Sequence, residues 1–361
     1  ALQHPAVGGL DGLISHSNVI PKLNIFPNFH NPSEMLGLLI IPLAVQWWSV
    51  YYPGSEPGGG GYIAQRMFAA KNENHAVGAV FFFNAAHFAL RPWPWIIVGL
   101  ASLIVFPDLA SMKEAFPTAS GVAANDMAYP AMLTFLPTGL IGLVLASLIA
   151  AYMSTISTHL NWGSSYLVND FYKRFIRPES SEKELVLVGR ISTVVLMIFA
   201  GALALVMESA LENFQILLQI GAGTGLIFIL RWFWWRINAA SEIAAMIISF
   251  LVAIYFQFFH GYTGLPELTS WQELITGVVV TTIGWTSTMY ATRPTSQQTL
   301  VEFINLVRPG GPGWQKVKEK AKKNGQTFSG NTDGWMVPQG ILCMVLGTVS
   351  IYGALLGTGY W

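Results

Sequence analysis

The sequence has few charged residues for its length. Asp, Glu, Lys and Arg make up 11% of the 361 residues, whereas an ordinary soluble domain carries about 25%. The apolar fraction is 53%, and the mean hydropathy is +0.48. A soluble protein of this size needs a charged surface around its core. The shortage of charge therefore predicts that lipid, rather than water, covers most of the protein's surface.

The sequence also has no net charge and only one cysteine. The formal net charge is zero, which gives no support to nucleic-acid binding or to the steering of acidic substrates. Cys343 is the single cysteine, so neither an internal disulfide nor a cysteine metal cluster is expected. The sequence begins without Met or a basic signal-peptide segment, and it stops directly after an apolar run. Both ends are interpreted as those of a fragment of a longer chain.

Long apolar runs are what the sequence has instead. A hydrocarbon core of about 30 Å requires roughly 20 apolar residues per helix. The runs predict an all-α membrane protein with about eight transmembrane helices, near 35–52, 76–106, 130–158, 185–207, 213–235, 239–260, 272–291 and 336–358. The first run is short and enters a Pro/Gly-rich segment. The second contains Arg91-Pro92-Trp93-Pro94 near its middle, so a kink is expected there.

Basic residues concentrate in alternate loops. If 1–34 is an extracellular loop, the cytoplasmic loops hold sixteen of the nineteen Lys and Arg residues; these loops are 62–75, 170–190, 231–238 and 291–335. This bias is what the positive-inside rule predicts for eight spans in the cell (plasma) membrane. The long basic stretch 291–335 is interpreted as a solvated, lipid-facing cytoplasmic linker, with a regulatory site as the alternative.

The third predicted span carries a stripe of small and hydroxyl side chains. Ala151, Ser154, Thr155 and Thr158 recur at the i, i+3, i+4 and i+7 spacing of one helix face. Such residues let membrane helices pack closely, and their oxygens can replace the hydration shell of a small cation such as Na⁺. Hydroxyls of this kind also bond back to the carbonyl one turn earlier. On spacing alone, helix packing is the preferred interpretation and cation binding is the alternative.

Several stretches resemble the sodium/solute symporter family, in the order in which that family has them. The matching stretches are Tyr62 to Lys71 (end of core helix six), Ala150 to Thr155 with Leu160-Asn161 and Val168-Asn169-Asp170 (helix eight), Val188-Gly189-Arg190 (start of helix nine) and 215–238 (helix ten and its exit). The resemblance covers nearly everything from about residue 40 onward, and its strength lies in the ordered set rather than in one motif.

The resemblance implies a leucine-transporter-like fold of two inverted repeats, with binding near the membrane midplane. On that basis 35–238 holds core helices six to ten, the second repeat, and 239–361 holds three peripheral helices. The family's ion site implies sodium ligands at the Ala151 backbone carbonyl and at the Ser154 and Thr155 hydroxyls. The remaining ligands would come from the first core helix, one of the N-terminal helices that this sequence lacks.

Candidate substrate-binding residues lie on three of the predicted spans. Trp48 belongs to an aromatic group that is either a stacking surface for a ring or part of an interfacial belt. The family's pattern points to Ser49 as a polar contact and to Tyr52 as an aromatic gate. Arg91 within a span costs about 2.5–3.5 kcal/mol, so it should face a cavity or pair with a carboxylate. Gln219 is the closest match to a family glutamine that contacts substrate.

The predicted function is sodium-coupled symport by alternating access, with Na⁺ as the coupling ion and no organic cofactor. The expected partners are a small polar solute, similar to a sugar or an amino acid, and the lipid bilayer, without nucleic acid. The alternatives are a sodium-independent or proton-coupled transporter or a channel, and, less favoured, an intramembrane enzyme. An enzyme would need paired carboxylates, a His/Glu metal motif or a Gly-x-Ser-x-Gly nucleophile within the spans. The sequence has none of these, so the chain is not expected to be an enzyme.

Overall fold

The computed structural model describes residues 1–24, 26–50, 61–119, 125–205, 209–325 and 336–360. About 79% of the structure is helical. Within the described ranges the backbone forms no sheet, and an isolated antiparallel bridge pairs Val50 with Ala222. Helices satisfy their own backbone hydrogen bonds, which a segment surrounded by lipid requires. The prediction of an all-α membrane protein is confirmed.

The helices that position the candidate sites are α1 (32–49), α2 (Glu73–Val105), α3 (Thr138–Ile176), α4 (Glu182–Ala204), α5 (Ala210–Gly221), α6 (Thr224–Phe233), α7 (Ala239–Tyr262), α8 (Ser270–Ala291), α9 (Gln297–Val307), α10 (Gln315–Lys323) and α11 (Val337–Tyr360). Among the described residues, six helices are long and apolar enough to cross a membrane: α2, α3, α4, α7, α8 and α11. Each of the six corresponds to one of the predicted spans.

The two other predicted spans, 35–52 and 213–235, form helices that are short or interrupted. Helix α1 ends at Ser49, and Val50 is already extended. The second span is divided, because α5 ends at Gly221 and α6 begins at Thr224. Between them Gly223 has φ 82°, a left-handed conformation that favours glycine. The glycine-rich sequence therefore interrupts the helix.

Helix α2 contains a distortion at the position where the sequence predicts a kink. A wide, π-helical segment covers Ala85–Leu90, and the Arg91 N–H donates to the Ala86 carbonyl, five residues back, at 3.0 Å. Pro92 follows directly and has no N–H to donate. Such wide turns are a recognised cause of helix bending. The local sequence Arg-Pro-Trp-Pro thus changes the hydrogen-bond pattern on its N-terminal side.

The chain forms two compact units, which are described separately: Ala1–Leu23 with Ile96–Asn213, and Asn24–Trp95 with Phe214–Trp361. In the first unit the N-terminal segment is more ordered than the predicted loop over 1–34. It contains the helix Gly9–Ser15. Its buried side chains Val7, Leu13 and Val19 belong to one hydrophobic core with Ala101 and Met112 from the later part of the unit. Much of the predicted extracellular loop therefore contributes to a hydrophobic core.

Helices α3 and α4 of the first unit approach closely through small residues. The Ser164 hydroxyl donates to the Gly189 carbonyl at 2.8 Å. A Cβ atom added at Gly163 would lie 3.0 Å from the Leu196 Cδ1 atom. Small side chains let membrane helices approach and exchange such hydrogen bonds. The outward faces of the two helices carry exposed apolar side chains, as a lipid-facing surface requires.

In the second unit α7 packs against α8, and the turn after α6 is fixed to the end of α8. Asn238 caps α7, and its side-chain Nδ2 also donates to the Thr292 hydroxyl at 2.9 Å. Arg236 donates from Nη2 to the Thr292 carbonyl at 2.8 Å. The segment 231–238 and the beginning of the segment 291–335 therefore meet in this unit; their cytoplasmic location stays a prediction.

Part of the predicted linker 291–335 is folded. Helices α9 and α10 form within it, and they share a small core whose buried members are Leu300, Ile304, Trp314 and Val317. Trp314 is 3% exposed, and its indole N–H donates to the Trp232 carbonyl at 2.9 Å. The interpretation as a solvated linker is therefore wrong for α9 and α10, because each helix buries apolar side chains in this shared core.

Asp108 caps the short helix Leu109–Ala115, which lies outside the candidate membrane spans. Its carboxylate accepts a hydrogen bond from the Ser111 N–H at 2.7 Å, and this bond lowers the pKa of Asp108 below its ordinary value. A lowered pKa means that the cap stabilises the helix above the ordinary carboxyl pKa and is lost as pH falls through the lowered one. We expect Asp108→Ala to speed amide hydrogen exchange over 109–115, whereas Asp108→Asn retains most of the protection. Unchanged exchange in the alanine variant would contradict this assignment.

Candidate functional site

The predicted sodium ligands lie on α3 in the first unit, where the Ala151 carbonyl and the Thr155 hydroxyl are within hydrogen-bond distance. The Thr155 hydroxyl donates to the Ala151 carbonyl at 3.0 Å, and the Thr158 hydroxyl donates to the Ser154 carbonyl at 2.8 Å. The side chains of Ala151, Ser154 and Thr155 are all exposed. The helix therefore presents one carbonyl and two hydroxyl oxygens on a surface that the described residues leave uncovered.

These oxygens fit part of a hard-cation site. Hard cations take several oxygen ligands, and neutral hydroxyls and carbonyls serve this purpose. Three oxygens from α3 are fewer than a complete shell. The back-bond from Thr155 to Ala151 is also the pattern expected of a hydroxyl that only satisfies its own helix. Both interpretations of the stripe are compatible with this geometry, and ion binding stays a prediction.

The predicted substrate residues lie in the second unit. The backbone segments that carry two of them, Ser49 and Gln219, contact each other. Trp48 and Ser49 form the last turn of α1, and Ser49 is fully buried at 0% exposure. The Ser49 hydroxyl has no hydrogen-bond partner among the described residues. Burying a hydroxyl without a partner costs about 1–3 kcal/mol. The role of this hydroxyl as a substrate contact stays a prediction. Tyr52 lies outside the described residues.

The end of α1 packs directly onto the interruption between α5 and α6. The Gly223 N–H donates to the Ser49 carbonyl at 2.8 Å, and Val50 pairs with Ala222. A Cβ atom at Gly225 would lie 2.7 Å from the Trp48 carbonyl oxygen. The two places where helices stop therefore satisfy each other's backbone groups. Unwound backbone at membrane depth requires such protein partners.

Gln219 is buried one turn before this interruption, with 7% of its surface exposed. Its amide Nε2 donates to the Glu273 carbonyl on α8 at 3.2 Å. A Cβ atom at Gly277 would come within 2.6 Å of the same Nε2. Helix α8 thus fixes the orientation of the Gln219 amide, and the absence of a side chain at Gly277 makes the room for it.

Arg91 is exposed and makes its contacts on its own helix. Its Nη1 atom is 2.8 Å from the His87 Nδ1 atom, and its Cζ atom lies 5.2 Å from the centre of the Trp95 ring. The described contacts do not join Arg91 to Ser49 or Gln219. Its predicted substrate role therefore gains no geometric support, and the guanidinium is stabilised by neighbours one turn before and after it.

Other polar features of the second unit were not predicted from the sequence. A cavity of about 460 Å³ is lined by residues of α1, α5 and α8, including Glu34, Gln215 and Trp271. Thr281 is fully buried beside Gly223, and its hydroxyl has no partner among the described residues. Gly277 and Thr281 had no local signal in the sequence, because their importance comes from which helix packs against them.

Membrane-length helices combined with interrupted ones are typical of secondary transporters. The chain matches the model of the "Sodium:solute symporter family" over residues 17–249. This match covers more than half of the chain, and the protein belongs to the sodium:solute symporter family. The resemblance in the sequence is confirmed.

The curated relatives that the chain matches are named as sodium-coupled cotransporters. A sodium/glucose cotransporter of Vibrio parahaemolyticus is 32% identical over 207 residues, covering 55% of this chain and 38% of the relative. A sodium/myo-inositol cotransporter 2 of Oryctolagus cuniculus is 32% identical over 204 residues, covering 53% of this chain and 30% of the relative. A sodium/mannose cotransporter of Bos taurus is 29% identical over 189 residues, covering 49% of this chain and 31% of the relative. The chain thus spans between 30% and 38% of the length of these relatives.

Proposed function

We propose that this chain is part of a transporter that moves a small polar solute together with Na⁺ by alternating access. The observation that carries the proposal is the packing of the α1 end against the α5–α6 interruption, with the Ser49 hydroxyl buried and unpaired beside it. Interrupted helices beside a polar group are the usual construction of a transporter binding site. Membership of the symporter family supports the same conclusion.

The coupling ion in this proposal is bound by the Ala151 carbonyl and by the Ser154 and Thr155 hydroxyls. These oxygens are uncovered on α3, so the other ligands would come from helices outside this chain. The short coverage of the relatives supports that arrangement, with N-terminal helices of the same protein as the partner. In this scheme 35–238 supplies the second inverted repeat, and 239–361 supplies peripheral helices of a plasma-membrane protein.

The solute in this proposal is a polyhydroxylated ring such as a sugar or an inositol. Trp48 offers an aromatic face for the C–H side of a ring, and Ser49 offers an unpaired hydroxyl. Gln219, fixed by α8, adds an amide that both donates and accepts. The names of the relatives, which specify glucose, myo-inositol and mannose, favour this class over an amino acid. Sodium and solute would each stabilise the state that binds the other, so each raises the affinity of the other.

The test is solute uptake by the full-length protein in proteoliposomes. Glucose, myo-inositol, mannose and proline would be offered under an inward Na⁺ gradient, a matching K⁺ gradient and a proton gradient. We expect one polyhydroxylated solute to accumulate above its external concentration only when Na⁺ is present. Accumulation driven equally by protons would favour the proton-coupled alternative. Equilibration without accumulation under every gradient would favour a channel and would contradict the proposal.

A further inference from the structure

Helix α10 carries a dense, one-sided distribution of positive charge. Five of its nine residues are lysines, opposed by one acidic residue, Glu319. The side chains that face the protein are Val317, 2% exposed, and Ala321, 0% exposed. Four of the lysines flank this buried face and are exposed: Lys316, Lys320, Lys322 and Lys323. The fifth, Lys318, is half-buried, and its ammonium donates to the Pro309 carbonyl at 3.1 Å. The helix is therefore amphipathic, with its apolar side already occupied.

The position of α10 is fixed relative to the end of α6, a short apolar helix. The preceding Trp314 donates its indole N–H to the Trp232 carbonyl, within the last turns of α6. Gly313 lies so close to Phe233 that a Cβ atom would overlap the Phe233 carbonyl oxygen. The Lys316 ammonium lies 5.5 Å from the centre of the Trp235 ring. Because α6 is apolar and ends at Phe233, these contacts hold α10 beside the C-terminal end of an apolar helix.

Further positive charge lies on the same side of the second unit. Arg236 and Arg293 belong to the two loop segments that Asn238 joins, since its side chain donates to the Arg293 carbonyl at 3.2 Å. The lysines of α10 are therefore part of a larger basic face rather than an isolated cluster. The Arg236 guanidinium donates to the Thr292 carbonyl, and its Nη1 atom is buried. We therefore call the exposed cations of this face the basic platform: Arg293, Lys316, Lys320, Lys322 and Lys323.

We propose that the basic platform binds anionic phospholipid headgroups of the membrane leaflet beside it. Clusters of four to eight basic residues next to a membrane helix attract acidic lipids. Lysine is suited to this role, because its long stem lets the ammonium extend to the headgroup level. In a flexible linker the lysines would have no fixed positions. The hydrophobic core beneath α10 instead holds the helix, and therefore its lysines, in place. The proposal concerns lipid binding and does not depend on the transport proposal.

Lipid binding is tested on the full-length protein in detergent, by native mass spectrometry during titration with phosphatidylglycerol or phosphatidylcholine. The informative variant replaces Lys320, Lys322 and Lys323 together by glutamine, which keeps helix propensity and removes three exposed charges. At about fivefold per lysine near an anionic surface, we expect the loss of three lysines to weaken phosphatidylglycerol binding about a hundredfold. Phosphatidylcholine binding should not change.

The matched control removes the same charge from other basic loops, by replacing Lys71, Lys173 and Lys183 with glutamine, all of them exposed. A second variant with arginine at the three α10 positions should retain native affinity for phosphatidylglycerol. Equal losses in the α10 and control variants would overturn the proposal, because net charge alone would then explain binding. Competition by inorganic phosphate at millimolar concentration would assign the surface to a free anion instead. An acidic protein that co-purifies through these lysines, with phosphatidylglycerol affinity unchanged, would assign it to a protein partner.

Discussion

Removal of the two adjacent hydroxyls on α3 is expected to weaken the dependence of uptake on sodium strongly. In the full-length protein, Ser154→Ala and Thr155→Val should each raise the Na⁺ concentration for half-maximal uptake by about tenfold or more. A hydrogen bond or ligand bond to a charged group contributes about 1.5–3 kcal/mol, and about 1.4 kcal/mol corresponds to a factor of ten. Valine keeps the shape of threonine, so the change isolates the oxygen. Uptake measured against Na⁺ concentration, at fixed solute, gives the affinity directly.

Thr158→Val is the matched control for this experiment. Thr158 lies on the same stripe, and its hydroxyl bonds back to the Ser154 carbonyl at 2.8 Å, but it is not among the proposed ligands. If the stripe serves only for helix packing, all three variants should lower thermal stability to a similar, small degree and leave the sodium dependence unchanged. That pattern would exclude the hydroxyl pair as the ion site while leaving family membership intact.

The long helices were predictable because their signals are local. An uninterrupted apolar run defines α3, α4, α7, α8 and α11 without reference to any partner. The span predicted over 213–235 is interrupted before α6, at a place where Gly221, Gly223 and Gly225 recur within five residues. What the sequence could not predict is that this interruption packs on the end of α1, because that contact joins residues far apart in the chain.

The candidate substrate site was predictable only in part, for the same reason. Ser49 and Gln219 followed from the family pattern, and the structure places their backbones near each other. The role of Gly277 in accommodating the Gln219 amide depends entirely on helix packing. The folded part of 291–335 did have a local signal: Trp314, Val317 and Ala321 recur at helical spacing among the lysines. The abundance of charge in that stretch concealed it.

A second large effect is expected from Gly225→Ala. The added Cβ atom would lie 2.7 Å from the Trp48 carbonyl oxygen, 2.9 Å from the Ser49 carbonyl carbon and 3.0 Å from the Val50 carbonyl carbon. All three are backbone atoms, so no side chain can rotate away. Overpacking of this kind costs about 1–3 kcal/mol. Glycine to alanine within a helix otherwise gains up to about 1 kcal/mol, and here the steric cost should exceed that gain.

Thermal unfolding in detergent and solute uptake together test this prediction. We expect Gly225→Ala to lower the midpoint of unfolding by several degrees, and to abolish uptake even in the fraction that stays folded, since the α1 end must move away from the interruption. Gly201→Ala in α4 is the matched control, because a Cβ atom there meets nothing within 4 Å. The control should be neutral or slightly stabilising. A Gly225→Ala protein as stable and active as the control would mean that the contact between α1 and α6 does not shape the solute site.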